Sequence, residues 1–166
     1  VDENGLIDLK ELDNSITEKT ILVCVMYANN ETGVIQNIRQ ISRITHAKNA
    51  IFFCDATQAI GKIPLDVQAD GIDLLCLSAH KFYGPKGSGF VFLRSGHTIL
   101  PFLHGGSQER NMRAGTENIL GIHGLGQAIQ LAQETADRRM EKLVKLTSVL
   151  KDGIQKAIED VTFNGE

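Results

Sequence analysis

The sequence predicts an α/β fold whose sheet is mostly parallel and flanked by helices. Three short apolar runs, at residues 21–26, 51–54 and 74–77, are separated by stretches with helical spacing or turn residues. Within each run the apolar residues follow one another without polar alternation, the pattern of strands covered on both faces. Two runs also close on chemistry-bearing residues: Asp55 follows Ile51-Phe-Phe-Cys54, and Ser78-Ala-His80-Lys81 follows Leu74-Leu-Cys-Leu77. Ligands in open α/β sheets collect at the carboxyl ends of the parallel strands, so this placement marks one sheet edge as the candidate site.

The elements follow in order. Asn4-Gly5 reads as a tight turn before a short helix at residues 9–16. The segment from Asp2 to Glu11 also resembles the end of an EF-hand loop, but a position-one ligand would precede Val1 and no flanking helix stands before it, so the turn is the better reading. A strand follows at 21–26. Ile35, Ile38, Ile41 and Ile44 then mark the apolar face of a helix ending near Asn49. Strands come next at 51–54 and 74–77, and Gly89-Phe-Val-Phe-Leu93 forms another after the turn Gly84-Pro-Lys-Gly-Ser-Gly89. That turn lacks the residue order of a nucleotide phosphate loop and leads into a strand instead of a helix. From Ile119 to about Ile158 the pattern is helical, with a bend expected in the alanine- and glutamine-rich middle. Gly121, Gly124 and Gly126 weaken its first turns, each by about 1 kcal/mol against alanine.

Composition narrows the function class. Of 166 residues, 42% are hydrophobic and 22% charged, values of an ordinary globular domain, and the length fits one domain. Seventeen basic residues against 20 acidic ones leave a formal charge of −3, which favours neither nucleic acid nor a membrane surface. No apolar run approaches the roughly 20 residues of a transmembrane helix, and no signal peptide is visible. Cys24, Cys54 and Cys76 all sit inside apolar runs and read as buried, inert packing residues. They show no Cys-x-x-Cys spacing, so no metal site is expected, and an odd number without a disulfide framework fits a reducing, cytoplasmic setting.

Asp55 and Lys81 together suit one chemistry in particular. A pyridoxal phosphate (PLP) site needs an amine to form a Schiff base with the aldehyde. It also needs a carboxylate to pair with the protonated ring nitrogen, so that the ring acts as an electron sink. Taken singly, the lysine reads as a loop residue and the aspartate as a helix cap.

Four blocks sharpen the reading: Ala28-Asn-Asn30-Glu-Thr-Gly33, Cys54-Asp55-Ala-Thr-Gln58-Ala-Ile-Gly61-Lys62, Ser78-Ala-His80-Lys81-Phe-Tyr-Gly-Pro-Lys-Gly87 and Gly105-Gly-Ser-Gln-Glu109-Arg110-Asn-Met-Arg113-Ala-Gly115-Thr116-Glu-Asn118. In order and spacing they resemble the NifS/IscS-type cysteine desulfurases of the class V aminotransferase family, over nearly the whole chain. The resemblance implies the large domain of the aspartate-aminotransferase-like PLP enzymes. It makes Lys81 the Schiff-base lysine, Asp55 the partner of the pyridine nitrogen and Gln58 a hydrogen-bond partner of the phenolic oxygen. Ser78 and His80 match phosphate-contacting positions, and Thr116 matches a threonine that reaches the cofactor phosphate of a neighbouring subunit. Asn30 matches a residue beside the ring and the substrate carboxylate. Hydroxyl and imidazole donors suit a phosphate dianion, and an amide can orient a carboxylate.

The same resemblance requires parts that these residues do not show. They are an upstream phosphate-wrapping loop, a histidine that stacks on the ring, a downstream catalytic cysteine and an arginine for the substrate carboxylate. Residues 1–166 are therefore expected to form a single, partial PLP-binding large domain, silent alone. The implied parent activity converts L-cysteine to L-alanine and an enzyme persulfide, in a homodimer that passes sulfur to an acceptor such as an iron–sulfur scaffold. Selenocysteine lyase is the nearest enzyme alternative, and a non-catalytic folded module is the alternative of another class.

Overall fold

The structure is a computed structural model and describes residues 1–165. Four strands form one sheet in the order β1 (Leu22–Met26), β2 (Ile51–Asp55), β3 (Leu74–Ser78) and β4 (Gly89–Leu93). The first three run parallel and β4 is antiparallel to β3. Helices α1 (Leu9–Ser15), α2 (Ile38–Ala47) and α3 (Ile119–Ala157) complete the α/β arrangement expected from the sequence.

Local chemistry sets the helix starts. Asp8 caps α1 by accepting from the Lys10 and Glu11 amides, and Asn37 caps α2 by accepting from the Gln40 amide. The Asn37 cap places Ile35 before the helix, where it bridges to Ala28 and stays half exposed, so Ile35 is not part of the α2 face. Ile38 and Ile41 are buried from that face and Ile44 is partly buried.

The expected bend in α3 is absent. The helix runs 39 residues without interruption, about 58 Å at 1.5 Å per residue. Its sequence contains no proline, and the alanine- and glutamine-rich middle is made of good helix formers, so nothing interrupts the hydrogen-bond ladder. Small residues let its first half approach the body. A Cβ built on Gly61 would lie 2.8 Å from the Ala132 Cβ, and one on Gly84 would lie 3.2 Å from the Ala128 Cβ. Residues 141–150 are exposed on every side.

The sheet is covered on one face only by the described residues, which corrects the two-faced expectation. Phe52, Cys54, Leu75 and Leu77 are buried with Ile38 and Ile41 of α2 and Ala128 and Ala132 of α3. Phe53, Asp55, Leu74, Cys76 and Ser78 point the other way and are half buried. An uninterrupted apolar run records low polarity on both faces, but not whether a partner covers both.

This asymmetry also corrects the reading of the cysteines. Cys54 is buried, Cys76 is half buried and Cys24, on the edge strand β1, is exposed. Desolvation and the neighbouring Asp55 charge push all three thiols up, Cys54 to about 12 and Cys76 to about 11. All three are therefore protonated, weakly nucleophilic thiols at neutral pH.

Candidate active site

Parallel register brings three strand ends to one edge. Met26 lies opposite Asp55, and Asp55 lies opposite Cys76. Beyond the strands, the Tyr27 amide donates to the Asp55 carbonyl at 2.8 Å and the Ala56 amide to the Cys76 carbonyl at 3.0 Å. The segments leaving β1, β2 and β3 therefore emerge side by side.

After β2 the chain turns at once, because the Asp55 carboxylate accepts the Thr57 amide at 2.9 Å. Successive bonds from Ala59 and Ile60 to Ala56, and from Lys62 and Ile63 to Ala59, wind residues 56–63 into helical turns. Gln58 and Lys62 stand four residues apart on these turns, and Lys62 Nζ donates to Gln58 Oε1 at 3.1 Å.

After β3 a tight 3-10 turn, Ala79–Phe82, carries the lysine. Ala79 and Phe82 are buried, and residues three apart eclipse in such a turn, so those two pin it to the core and leave His80 and Lys81 exposed. Tyr83 closes it in the left-handed region, φ 70°. Gly84 then passes so near Ala79 that an added Cβ would lie 2.9 Å from the Ala79 Cβ. Ser78 Oγ and His80 Nδ1 are 2.9 Å apart, forming a hydroxyl–imidazole pair beside the lysine.

Asn30 stands on the third segment. The neighbouring Asn29 side chain accepts the Glu31 and Thr32 amides, making a turn that leaves Asn30 exposed at its tip. Thr116 lies elsewhere, in the exposed loop before α3, where the Gln108 side chain accepts the Gly115 amide at 3.0 Å. No hydrogen bond among the described residues joins Thr116 to the strand-end group. In the same loop Glu109, Arg110 and Asn111 all hold positive φ, an uncommon run for residues other than glycine.

Asp55, Gln58, Ser78, His80 and Lys81 are thus gathered on adjoining turns. One acceptor carboxylate, one amide, a hydroxyl–imidazole pair and an exposed amine form a set of polar groups that fits PLP's ring nitrogen, phenolic oxygen, phosphate and aldehyde. Lys62 and Arg139 were not singled out by sequence reasoning. Arg139, from α3, donates to the Gly61 carbonyl at 2.6 Å and lies 5.3 Å from the Tyr83 ring centroid, tying the turns after β2 and β3 to one helix. The Gln58–Lys62 spacing was a visible signal, whereas a contact across 78 residues had none.

Comparison with known proteins settles the family. The family model for class V aminotransferases matches residues 1–166. The chain belongs to the class V aminotransferase family. This is a PLP-dependent family. Cysteine desulfurase IscS of Clostridium botulinum (strain Hall) is 49% identical over 165 residues, covering 99% of this chain and 42% of the relative. The IscS of Dictyoglomus turgidum is 46% identical with the same coverage. Among solved structures, a NifS-like protein superposes with a TM-score of 0.91 at 42% identity, over 94% of this chain and 43% of that one. A NifS-like protein of Rickettsia africae gives 0.90 at 34% identity, over 99% and 48%. The chain thus spans about 42% of the length of these curated class V relatives.

Proposed function

We propose that this chain is the cofactor-binding part of a PLP-dependent cysteine desulfurase that takes sulfur from L-cysteine, leaving L-alanine and an enzyme-bound persulfide. The observation that carries the reading is the convergence of Asp55, Ser78, His80 and Lys81 on neighbouring strand ends in a chain 49% identical to an IscS desulfurase. A related solved structure, SspA in complex with cysteine, is 37% identical with a TM-score of 0.75, over 77% of this chain and 38% of that one, which supports cysteine as the substrate.

Bound PLP supplies an electron sink that stabilises negative charge at the substrate α-carbon. The chain's residues position it and move protons. The Asp55 carboxylate would accept from the ring nitrogen and keep it protonated. Gln58 would donate to the phenolic oxygen, and the Ser78–His80 pair would contact the phosphate. Lys81 Nζ would hold the cofactor through its aldehyde and would serve as the base and acid that carries the substrate α-proton. Asn30 orients the substrate carboxylate.

Cys54 is buried and Cys76 half buried within the strands, and desolvation and Asp55 push up all three thiols, Cys24 included, which argues against any of them as the sulfur-accepting thiol. The reaction L-cysteine plus enzyme thiol gives L-alanine plus enzyme persulfide, and the persulfide passes to an acceptor such as an iron–sulfur scaffold. The same thiols support the reading of the chain alone as catalytically silent. Selenocysteine as substrate would use the same residues.

The active form is proposed as a homodimer in the cytoplasm. Leu100 and Phe102, each 93% exposed, lie in the same loop region as Thr116, and Ile119 and Leu120 follow it at the exposed start of α3. Covering these by a second copy would carry Thr116 toward the other subunit's cofactor phosphate. Among the described residues no helix is long and apolar enough to cross a membrane.

The test is an absorbance spectrum of the chain with added PLP beside a Lys81→Ala variant. A band near the visible edge that survives dialysis and vanishes in Lys81→Ala supports the proposal. No band in either protein overturns cofactor binding by this chain.

A further inference from the structure

Lys62 occupies an unfavourable place for a cation. It is half buried on the turns after β2. Its ammonium is held below the ordinary lysine range first by burial and then by the nearby positive charges of Lys81 and Arg139. A lysine with a flexible four-carbon stem can ordinarily swing such a charge into water. Here the head group is retained beside two cations, and its hydrogen bond is to the Gln58 side-chain oxygen at 3.1 Å.

That bond has a directional consequence. A carboxamide has two faces of opposite character, an acceptor oxygen and a donor NH2, that differ by a simple flip. An ammonium only donates, so it can pair with Oε1 and not with Nε2. While Lys62 holds Oε1, both Gln58 N–H donors remain free for another acceptor. PLP's phenolic oxygen is such an acceptor, and a flipped Gln58 would meet it oxygen to oxygen.

Resting on the PLP reading above, we infer that Lys62 is a positioning residue that locks the Gln58 amide with its donors free for the cofactor's phenolic oxygen. Gly61 supports the arrangement. It turns the chain at φ 68° with its carbonyl bound to Arg139, which fixes the backbone directly before Lys62. Arg139 therefore anchors the turn, while Lys62 orients the side chain one helical turn earlier.

The competing role for a cation here is general attraction of the anionic cofactor, and a double-mutant cycle separates the two. PLP is titrated into the chain, Lys62→Met, Gln58→Ala and the double variant. The Lys81-dependent band gives the dissociation constant and its absorption maximum gives the environment of the phenolic oxygen. Lys62→Met keeps the stem and removes the donor, and Lys62→Arg keeps a donor-only head group. We expect Lys62→Met to weaken PLP binding about tenfold and shift the maximum, with no further effect in the Gln58→Ala background. Lys62→Arg should restore most of both. Equal weakening in both backgrounds, or none in either, would overturn the inference while leaving the PLP reading standing. Absence of the band in the unaltered chain would overturn that reading and this inference with it.

Discussion

The two ends of the sheet carry similar residues in opposite states. At the amino end, Asp73 is buried just before β3 and every partner it needs belongs to the chain. Its carboxylate accepts the Phe52 amide at 2.9 Å and meets His46 Nε2 at 2.7 Å, with Arg94 Nε and His97 Nε2 each at 3.5 Å. Arg94 is itself tied to the Ile72 and Val67 carbonyls and to Gln68. At the carboxyl end, Asp55 has the Thr57 amide, and His80 and Lys81 are exposed on a turn held only from behind. Aspartate, histidine and basic groups thus form a closed network at one end and an open set of polar groups at the other. The free hydrogen-bonding capacity, more than the residue types, separates the two ends.

The largest effect that could break this contrast is at Asp73. Asp73→Ala should destabilise the chain by about 3–5 kcal/mol, because Arg94 and the Phe52 amide lose a buried anion. Urea unfolding measures it, and a loss below 1 kcal/mol would dissolve the comparison. Asp55→Ala should behave oppositely. We expect a change in unfolding free energy within about 0.5–1 kcal/mol, with loss of the PLP band or of its retention on dialysis.

The pH dependence sharpens the same point. Burial alone would raise the Asp73 pKa, but the Phe52 amide and His46 outweigh it and hold the carboxyl below the ordinary carboxylate range. A carboxyl whose folded pKa is depressed contributes its full stabilisation above the unfolded value, about 4, and loses it as pH falls through the folded value. Stability should therefore drop on acidification below about pH 4, and Asp73→Asn should flatten that limb. An unchanged acid limb in Asp73→Asn would remove Asp73 as its source. A smaller effect is expected at the joint that supports the open end. Gly61→Ala places a Cβ 2.8 Å from the Ala132 Cβ at φ 68° and should cost about 1–3 kcal/mol in urea unfolding.

How much of this the sequence could show differs between the two ends. The open end was legible because its residues are local: Asp55, Gln58, Ser78, His80 and Lys81 each sit within a few positions of a strand that its apolar run announces. The closed end was not. Asp73 stands one residue before such a run and looks like an ordinary strand-boundary aspartate. His46, Arg94 and His97 reach it from 21 to 27 positions away, across α2 and β4. The strands were located within a residue or so, since apolar runs bounded by turns fix them. The straightness of α3 was misjudged because composition was read as a bend where no proline or inserted side chain breaks the ladder. Single-faced burial was missed because hydrophobicity records what a face could bury, and only packing decides what covers it.

The smallest expected effect concerns the cysteines, where that single-faced packing becomes chemically visible. Thiol alkylation at pH 8 depends on both access and thiolate fraction. All three thiols are pushed up, so all should react more slowly than a free cysteine. Access then ranks them: Cys24 on the exposed edge strand first, half-buried Cys76 next, and Cys54 last, with its thiol at about 12 and no route to solvent short of unfolding. Mass spectrometry of a timed iodoacetamide reaction gives the order directly. Fast labelling of Cys54 would show that α2 and α3 open away from the sheet, while protection of Cys24 would show that the open face is covered in solution by something beyond the described residues.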